Sequence, residues 1–180
     1  MQRLDTRKLA LASILGALAA ASEAIKGPPF DIPFPLLPGI VSWDLTGIPM
    51  LISLLFNGSI GAVYTSIIGC SIIFLRGNVP GGIFKLIAEL ATILAFAAIR
   101  KGVVAKSIAA VVSRVLVMTI ANYYLLQFFY GSSESYVVGL LLPLAAFNVT
   151  QALLNIIPSY IIYSRLPDRW RFWATTETNP

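Results

Sequence analysis

The feature that most constrains this chain is a succession of long apolar runs, separated by short breaks rich in charge, glycine or proline. At about 1.5 Å per residue, a helix of roughly 20 apolar residues crosses the hydrocarbon core of a bilayer. The runs cover residues 8–26, 43–56, 59–75, 81–99, 103–129 and 136–163. They predict an all-α integral membrane protein with six transmembrane helices.

The composition agrees with a multi-pass protein of the cell membrane. Hydrophobic residues make up 57% of the chain and charged residues only 12%, whereas soluble proteins use about 25% charged residues. We expect one six-helix domain over residues 1–166 and a short polar tail over 167–180. The net charge of +5 comes from basic residues clustered at the ends of apolar runs, which argues against nucleic-acid binding.

The distribution of basic residues predicts the orientation, because cytoplasmic loops accumulate Lys and Arg. Six spans with both termini in the cytoplasm leave only Lys26 and Arg76 on the outer side. The inner side then holds Arg3, Arg7, Lys8, Arg100, Lys101, Lys106, Arg165, Arg169 and Arg171. The N- and C-termini are therefore predicted to be cytoplasmic.

The segment 27–49 breaks the helical pattern, with five prolines before Trp43 and no Lys or Arg. Each proline removes a backbone donor and clashes with the preceding turn, so this segment is predicted to be a structured loop. Its many apolar residues indicate that it folds back over a membrane-embedded pocket. We interpret it as an extracellular lid, followed by a short second helix in which Asp44 caps or enters the first turn.

Few residues of this chain could take part in catalysis. The chain has no His and a single cysteine, Cys70, which excludes Ser-His and Cys-His nucleophiles and His-ligated zinc. An intramembrane enzyme would have to use Lys85 and Glu89, which lie one helical turn apart and together form a poor site. We expect no enzyme activity, no catalytic or metal-binding residues and no cofactor. A membrane assembly subunit without a ligand is a further alternative.

Several short motifs together resemble one family. The lid sequence Ile32-Pro-Phe-Pro-Leu-Leu-Pro38 is followed by Asp44 to Pro49, and later by Val117-Met-Thr119, Asn122-Tyr-Tyr124 and Phe147-Asn148. In this order and spacing the chain resembles the substrate-binding S component of an energy-coupling factor vitamin transporter, closest to the riboflavin-specific branch.

The resemblance implies a six-helix protein that captures a small-molecule vitamin and joins a membrane T component driven by two cytoplasmic ATPases. The chain lacks a Gly-x-x-x-x-Gly-Lys-Ser/Thr motif, in keeping with ATP hydrolysis in partner chains. Riboflavin would be the transported ligand. The riboflavin branch usually has Lys at position 151 and a second acid at position 47, where this chain has Gln151 and Gly47. Another vitamin-sized heterocycle therefore remains an alternative.

Two amides, Asn122 and Asn148, match positions that contact the flavin in the family. Each lies in an otherwise apolar segment, where a buried amide needs partners. Gln151 follows Asn148 by about one helical turn and is predicted to add a third contact. The alternative is hydrogen bonding between helices. The other predicted substrate-binding residues are Leu37, Pro38, Asp44, Tyr123, Phe147, Lys85 and Glu89.

Two further groups have a functional and a structural interpretation. Ala12, Gly16 and Ala20 place small side chains on one face of the first helix, which suits docking of the T component, as in the family, or internal packing. Lys85 and Glu89 either neutralise each other or contact the ligand. Arg114 pairs with Glu89, extends to the inner surface or binds a partner.

Overall fold

The computed structural model describes residues 6–167. Predictions for residues 1–5 and 168–180, including the polar tail beyond Pro167, lie outside the described residues. Within that range the chain forms five α-helices and two short strands. They are α1 (Thr6–Ala24), β1 (Asp31–Pro33), β2 (Ser42–Asp44), α2 (Gly47–Leu75), α3 (Val79–Ala98), α4 (Val103–Tyr130) and α5 (Glu134–Arg165).

The helix α2 is two antiparallel arms joined at Gly58, whose φ of 72° and ψ of −173° are not helical. The hydroxyl oxygens of Ser53 and Thr65 lie 2.7 Å apart, although a straight helix would separate twelve residues by about 18 Å. The chain therefore reverses direction between the arms 47–57 and 59–75, where a turn at Asn57-Gly58 was predicted. Gly58 suits this turn because glycine adopts a positive φ at little cost.

Four helices, α2 to α5, are long and apolar enough to cross a membrane by length and composition. The first arm of α2 contains only eleven residues, about 16 Å of helix. The count of six spans and the cytoplasmic termini remain predictions.

The fold is helical, as predicted, and within the lid it also contains the two short strands β1 and β2, which were not predicted. Asp31 pairs with Asp44 and Ile32 pairs with Trp43 in antiparallel register. The prolines of the lid favour an extended backbone in the residues before them, which suits a strand. The prediction that a helix begins at residue 43 is wrong, because α2 begins at Gly47. Asp44 does not cap it. Thr46 occupies the N-cap position, and its N–H donates to Asp44 Oδ1 at 2.9 Å.

The helix α1 packs closely along the second arm of α2. A Cβ atom added to Gly16 would lie 2.8 Å from Ile68 Cβ, and one added to Gly69 would lie 2.8 Å from Ala19 Cβ. The Thr65 hydroxyl donates to the Ala12 carbonyl at 3.1 Å. The small residues therefore allow the two backbones to approach each other. The helices α3, α4 and α5 pack in sequence beside this pair.

Candidate ligand-binding site

A cavity of about 670 Å³ lies between the lid and the helices α1, α3, α4 and α5, with one α2 residue, Ile73, on its wall. This volume is within the range of about 300–1,000 Å³ typical of small-molecule sites. Both apolar and polar side chains line the cavity, as expected for a site that encloses a ring system and orients it with a few hydrogen bonds.

The helix α4 lines the cavity with one residue per turn. Arg114, Met118, Asn122, Leu126 and Tyr130 all lie on the wall, and residues four apart share one helix face. Asn122 is only 5% exposed, and its side chain makes no hydrogen bond to any of residues 6–167. The Asn122 amide atoms are not among the buried atoms of the described range that lack a partner, so they are accessible from the cavity and present unused donors and acceptors to it.

The lid is held against α5 by aromatic contacts. The Phe34 ring lies 5.2 Å from Trp43 and 5.5 Å from Phe147, between ring centroids, and Phe34 packs with the buried Leu37 and Leu144. The Trp43 indole donates to the Thr150 hydroxyl at 2.9 Å. These contacts, each favourable, fix the lid on α5 beside the cavity.

Lys85 is the centre of an ionic cluster beneath the lid. Its ammonium bonds the Asp44 carboxylate and lies 3.9 Å from Glu23 Oε2 and 4.0 Å from Glu89 Oε1. The predicted mutual pair of Lys85 and Glu89 is thus a minor contact, since each has a closer partner. The cluster links the lid to α1 and α3.

Arg114 is the closer partner of Glu89. Its Nη1 donates to Glu89 Oε1 at 3.0 Å and to the Thr92 hydroxyl at 3.2 Å, and its Nε donates to Asn148 Oδ1 at 3.1 Å. Glu89 is 0% and Arg114 2% exposed, so each charge needs the other. Of the three roles predicted for Arg114, the structure shows pairing with Glu89.

The side chain of Gln151 holds the lid through hydrogen bonds to the lid backbone. Its Nε2 donates to the Asp44 carbonyl at 2.8 Å, and its Oε1 accepts from the Asp44 N–H at 3.2 Å. The side-chain amide therefore bonds both the N–H and the carbonyl of Asp44, as a neighbouring strand would in a β-sheet. Asp44 itself carries a lowered pKa: burial alone would raise it, but the Lys85 ammonium and hydrogen bonds from Thr46 together outweigh that effect.

The acid expected at position 47 from the resemblance to the riboflavin branch would displace its neighbours. A Cβ atom on Gly47 would overlap Asn155 Nδ2 and would lie 2.7 Å from Glu89 Oε2. Both of these atoms are buried without a hydrogen-bond partner among residues 6–167. Any side chain at this position therefore requires the Asn155 amide and the Glu89 carboxylate to move.

Half of the ten predicted substrate-binding residues line the cavity: Asn122, Asn148, Asp44, Phe147 and Lys85. The others do not line it. Gln151 and Glu89 are fully buried in polar contacts with the lid and with Arg114, and Leu37 belongs to the apolar lid contact. Pro38 is exposed, and the half-buried Tyr123 bonds Glu134 through its hydroxyl.

Sequence reasoning missed Arg114 as a residue of the cavity wall, together with the apolar Met118 and Leu126. The signal was present as two strongly polar residues, Arg114 and Asn122, in the middle of a mostly apolar helix. A separation of eight residues is about 2.2 helical turns, which keeps the two side chains within one broad face.

The three residues predicted to dock a T component are mostly covered. Ala12 and Gly16 are buried against α2, and Ala20 is half-buried. Internal packing, the alternative interpretation, accounts for Ala12 and Gly16.

A comparison with solved structures bears on this architecture. The chain is similar to the S component of a bacterial ECF transporter, with a TM-score of 0.77 and 23% sequence identity, over 91% of this chain and 96% of that chain. The protein has the fold of an ECF-transporter S component. Neither a protein-family model nor a curated protein sequence matches it. At this identity the similarity concerns the fold.

Proposed function

We propose that this protein is the substrate-binding S component of an ECF vitamin transporter. The observation that carries the proposal is the 670 Å³ cavity beneath the lid, which displays the unpartnered Asn122 amide within an S-component fold. A hydrogen bond to a ligand is stronger where the ligand and the apolar part of the wall exclude water from it. The protein binds the ligand and catalyses no reaction, and the ligand is cargo and not a cofactor.

Riboflavin or a related flavin is the proposed ligand. The α4 and α5 walls offer Met118, Leu140 and Phe147 to a flat ring, and Asn122 offers an amide to its polar edge. Gln151 is removed from the proposed contact set because its amide is committed to Asp44. A different vitamin-sized heterocycle is the alternative, since the sequence departs from the riboflavin branch at Gly47 and Gln151.

The proposed partners are a membrane T component and two cytoplasmic ATPases. Docking through Ala12 and Gly16 would require α1 to leave α2, because both are buried between these helices. We therefore propose that the T component is met by other surfaces, with Ala20 the one small residue of the set that is partly accessible.

The test is a titration of the detergent-purified protein with riboflavin, after recording its absorption spectrum before any ligand is added. A flavin spectrum at about one ligand per chain, or saturable quenching of added riboflavin fluorescence, is expected. Asn122→Leu should abolish this binding. Gln127→Leu is the matched control, because Gln127 is an amide on the same helix that bonds the Tyr123 carbonyl and does not line the cavity.

Two results would contradict the proposal in different ways. If riboflavin fails to bind but thermal-shift screening finds another vitamin, the flavin assignment is wrong and the S-component function stands. If Asn122→Leu binds riboflavin as the wild type does, the cavity assignment is wrong.

A further inference from the structure

The guanidinium of Arg114 has one nitrogen without a partner. Nε and Nη1 are engaged by Asn148, Glu89, Thr92 and the Ala88 carbonyl, whereas Nη2 makes no hydrogen bond to any residue of the described range 6–167. We propose that Arg114 Nη2 recognises the ligand by donating to a carbonyl oxygen of a neutral heterocycle. This inference rests on the proposed function, and it names the chemical group of the ligand that Arg114 recognises on the cavity wall.

The unused donor is accessible from the cavity. Arg114 is 2% exposed as a whole and lies on the cavity wall. Among the described residues, Glu89 Oε2 and Asn155 Nδ2 are the buried side-chain atoms without a hydrogen-bond partner, and Arg114 Nη2 is not one of them. A ligand that covers Nη2 must therefore supply an acceptor, because an unsatisfied donor of a charged group is especially unfavourable once it is buried.

The guanidinium is already fixed before a ligand arrives. Glu89 and Thr92 hold it from α3, and Asn148 holds it from α5. Asn148 is in turn fixed, because its Nδ2 donates to the Leu144 carbonyl at 2.8 Å. Little side-chain freedom is left to lose on binding, which favours affinity and directional recognition.

The surrounding charges favour a neutral acceptor over an anion. The ion pairs beside the cavity form one network of three cations and four carboxylates: Lys26, Lys85, Arg114, Glu23, Asp31, Asp44 and Glu89. The network therefore carries a net charge of −1 when all seven groups are ionised. A phosphate or carboxylate would be repelled and would lose its hydration, whereas a carbonyl oxygen accepts from Nη2 without adding charge.

The position of Asn122 gives the direction in which the ligand lies. It follows Arg114 by eight residues on the same wall, a rise of about 12 Å between the two backbone positions along α4. A ligand that contacts both side chains must lie along this wall, which suits an elongated fused-ring heterocycle better than a single ring.

The test compares the wild type with Arg114→Lys, using three probes: riboflavin, lumichrome (the ring without the ribityl chain) and riboflavin 5′-phosphate. Lysine keeps a cation beside Glu89 but lacks the planar fork of donors. Riboflavin and lumichrome should both bind about 10- to 100-fold more weakly to Arg114→Lys, as expected for one lost hydrogen bond from a charged donor. Wild-type protein should bind the phosphate at least about tenfold more weakly than riboflavin.

The controls separate recognition from folding. Arg165→Lys, an exposed arginine at the end of α5, should bind all probes as the wild type does. The double variant Arg114→Gln with Glu89→Gln removes the guanidinium without leaving a buried charge and should show the same weakening. The absorption bands of bound riboflavin should also shift in both variants, because a ring carbonyl loses its donor.

Each other outcome overturns a stated part of the inference. Unchanged riboflavin affinity in both Arg114 variants would show that Nη2 does not touch the ligand. If riboflavin binds more weakly to the Arg114 variants while lumichrome binds unchanged, the acceptor lies on the ribityl chain. If the wild type binds riboflavin 5′-phosphate as tightly as riboflavin, there is no preference for neutral ligands. A wild type that binds none of the probes would instead refute the flavin function itself.

Discussion

The two halves of the bundle use similarly apolar sequences in opposite ways. In the half formed by α1 and α2, small residues such as Gly16 and Gly69 let the backbones meet, so that even one added Cβ would collide. In the half formed by α3, α4 and α5, the helices enclose a cavity and bury charged and amide groups such as Glu89, Arg114 and Asn122. Close packing of small residues therefore holds one half together, whereas the other half leaves a cavity between its helices and buries polar groups beside it.

Glu89→Ala should have the largest effect on stability in the polar half of the bundle, which is formed by α3, α4 and α5. This change leaves the Arg114 guanidinium buried without its counter-charge, and breaking a buried pair in this way costs about 3–5 kcal/mol. We expect this variant to lose more thermal stability in detergent than any variant of the packed half or of the lid. Glu134→Ala, which removes an exposed carboxylate, should change the unfolding free energy by less than about 1 kcal/mol. Equal effects of the two substitutions would contradict the importance of the pair.

Gly16→Leu tests the packed half. A side chain at this position meets Ile68 at 2.8 Å, and overpacking of this kind costs about 1–3 kcal/mol. The melting temperature should fall, whereas Ala17→Leu, on the exposed face of α1, should leave it nearly unchanged. If Gly16→Leu melts as the wild type does and only fails to co-purify with a T component, docking through this face would be the correct interpretation.

Gln151→Leu tests how the lid is attached to the polar half. The substitution leaves the N–H and carbonyl of Asp44 without the amide that pairs with them, at a cost of about 1–3 kcal/mol. Stability should fall, and riboflavin affinity should fall less than in Asn122→Leu, because Gln151 does not line the cavity. A stable Gln151→Leu protein that has lost riboflavin binding would restore the direct contact predicted from the sequence.

Most of the helices could be predicted because each long apolar run of the sequence corresponds to one helix or to one arm of α2. The observed ends of α1, α3, α4 and α5 lie within about two residues of the predicted ones, and the turn at Gly58 follows from its dipeptide. The strands were missed because each has only three residues and forms by pairing across the lid. Local pattern does not report such pairing.

The site was predicted only in part, for a related reason. Asn122 and Asn148 stand out as amides in apolar runs, and both line the cavity. Gln151 has the same signature, but its partner is the peptide group of Asp44, 107 residues away in sequence. Whether a buried amide faces a cavity or another backbone depends on tertiary contacts, and spacing along one helix cannot distinguish the two.

Acidification should give the smallest effect and probes the junction between lid and bundle. The pKa of Asp44 lies below its usual value of 3.8, so the unfolded chain binds a proton at this residue at higher pH than the folded protein does. Its contribution to stability is therefore present above about pH 4 and is lost as the pH falls through the lower, folded value.

Because other carboxylates titrate in the same range, the informative quantity is the difference between two proteins. Thermal melting of the wild type and of Asp44→Asn, measured from neutral pH down to about pH 3, should show the wild type losing stability more steeply at the acid end. The difference between the two curves should shrink toward the acid end, since a protonated Asp44 attracts Lys85 no more strongly than an amide does. Parallel curves would mean that the Lys85 contact contributes nothing to the lid, and the lid would then be held by Gln151 and the aromatic contacts of Phe34 alone.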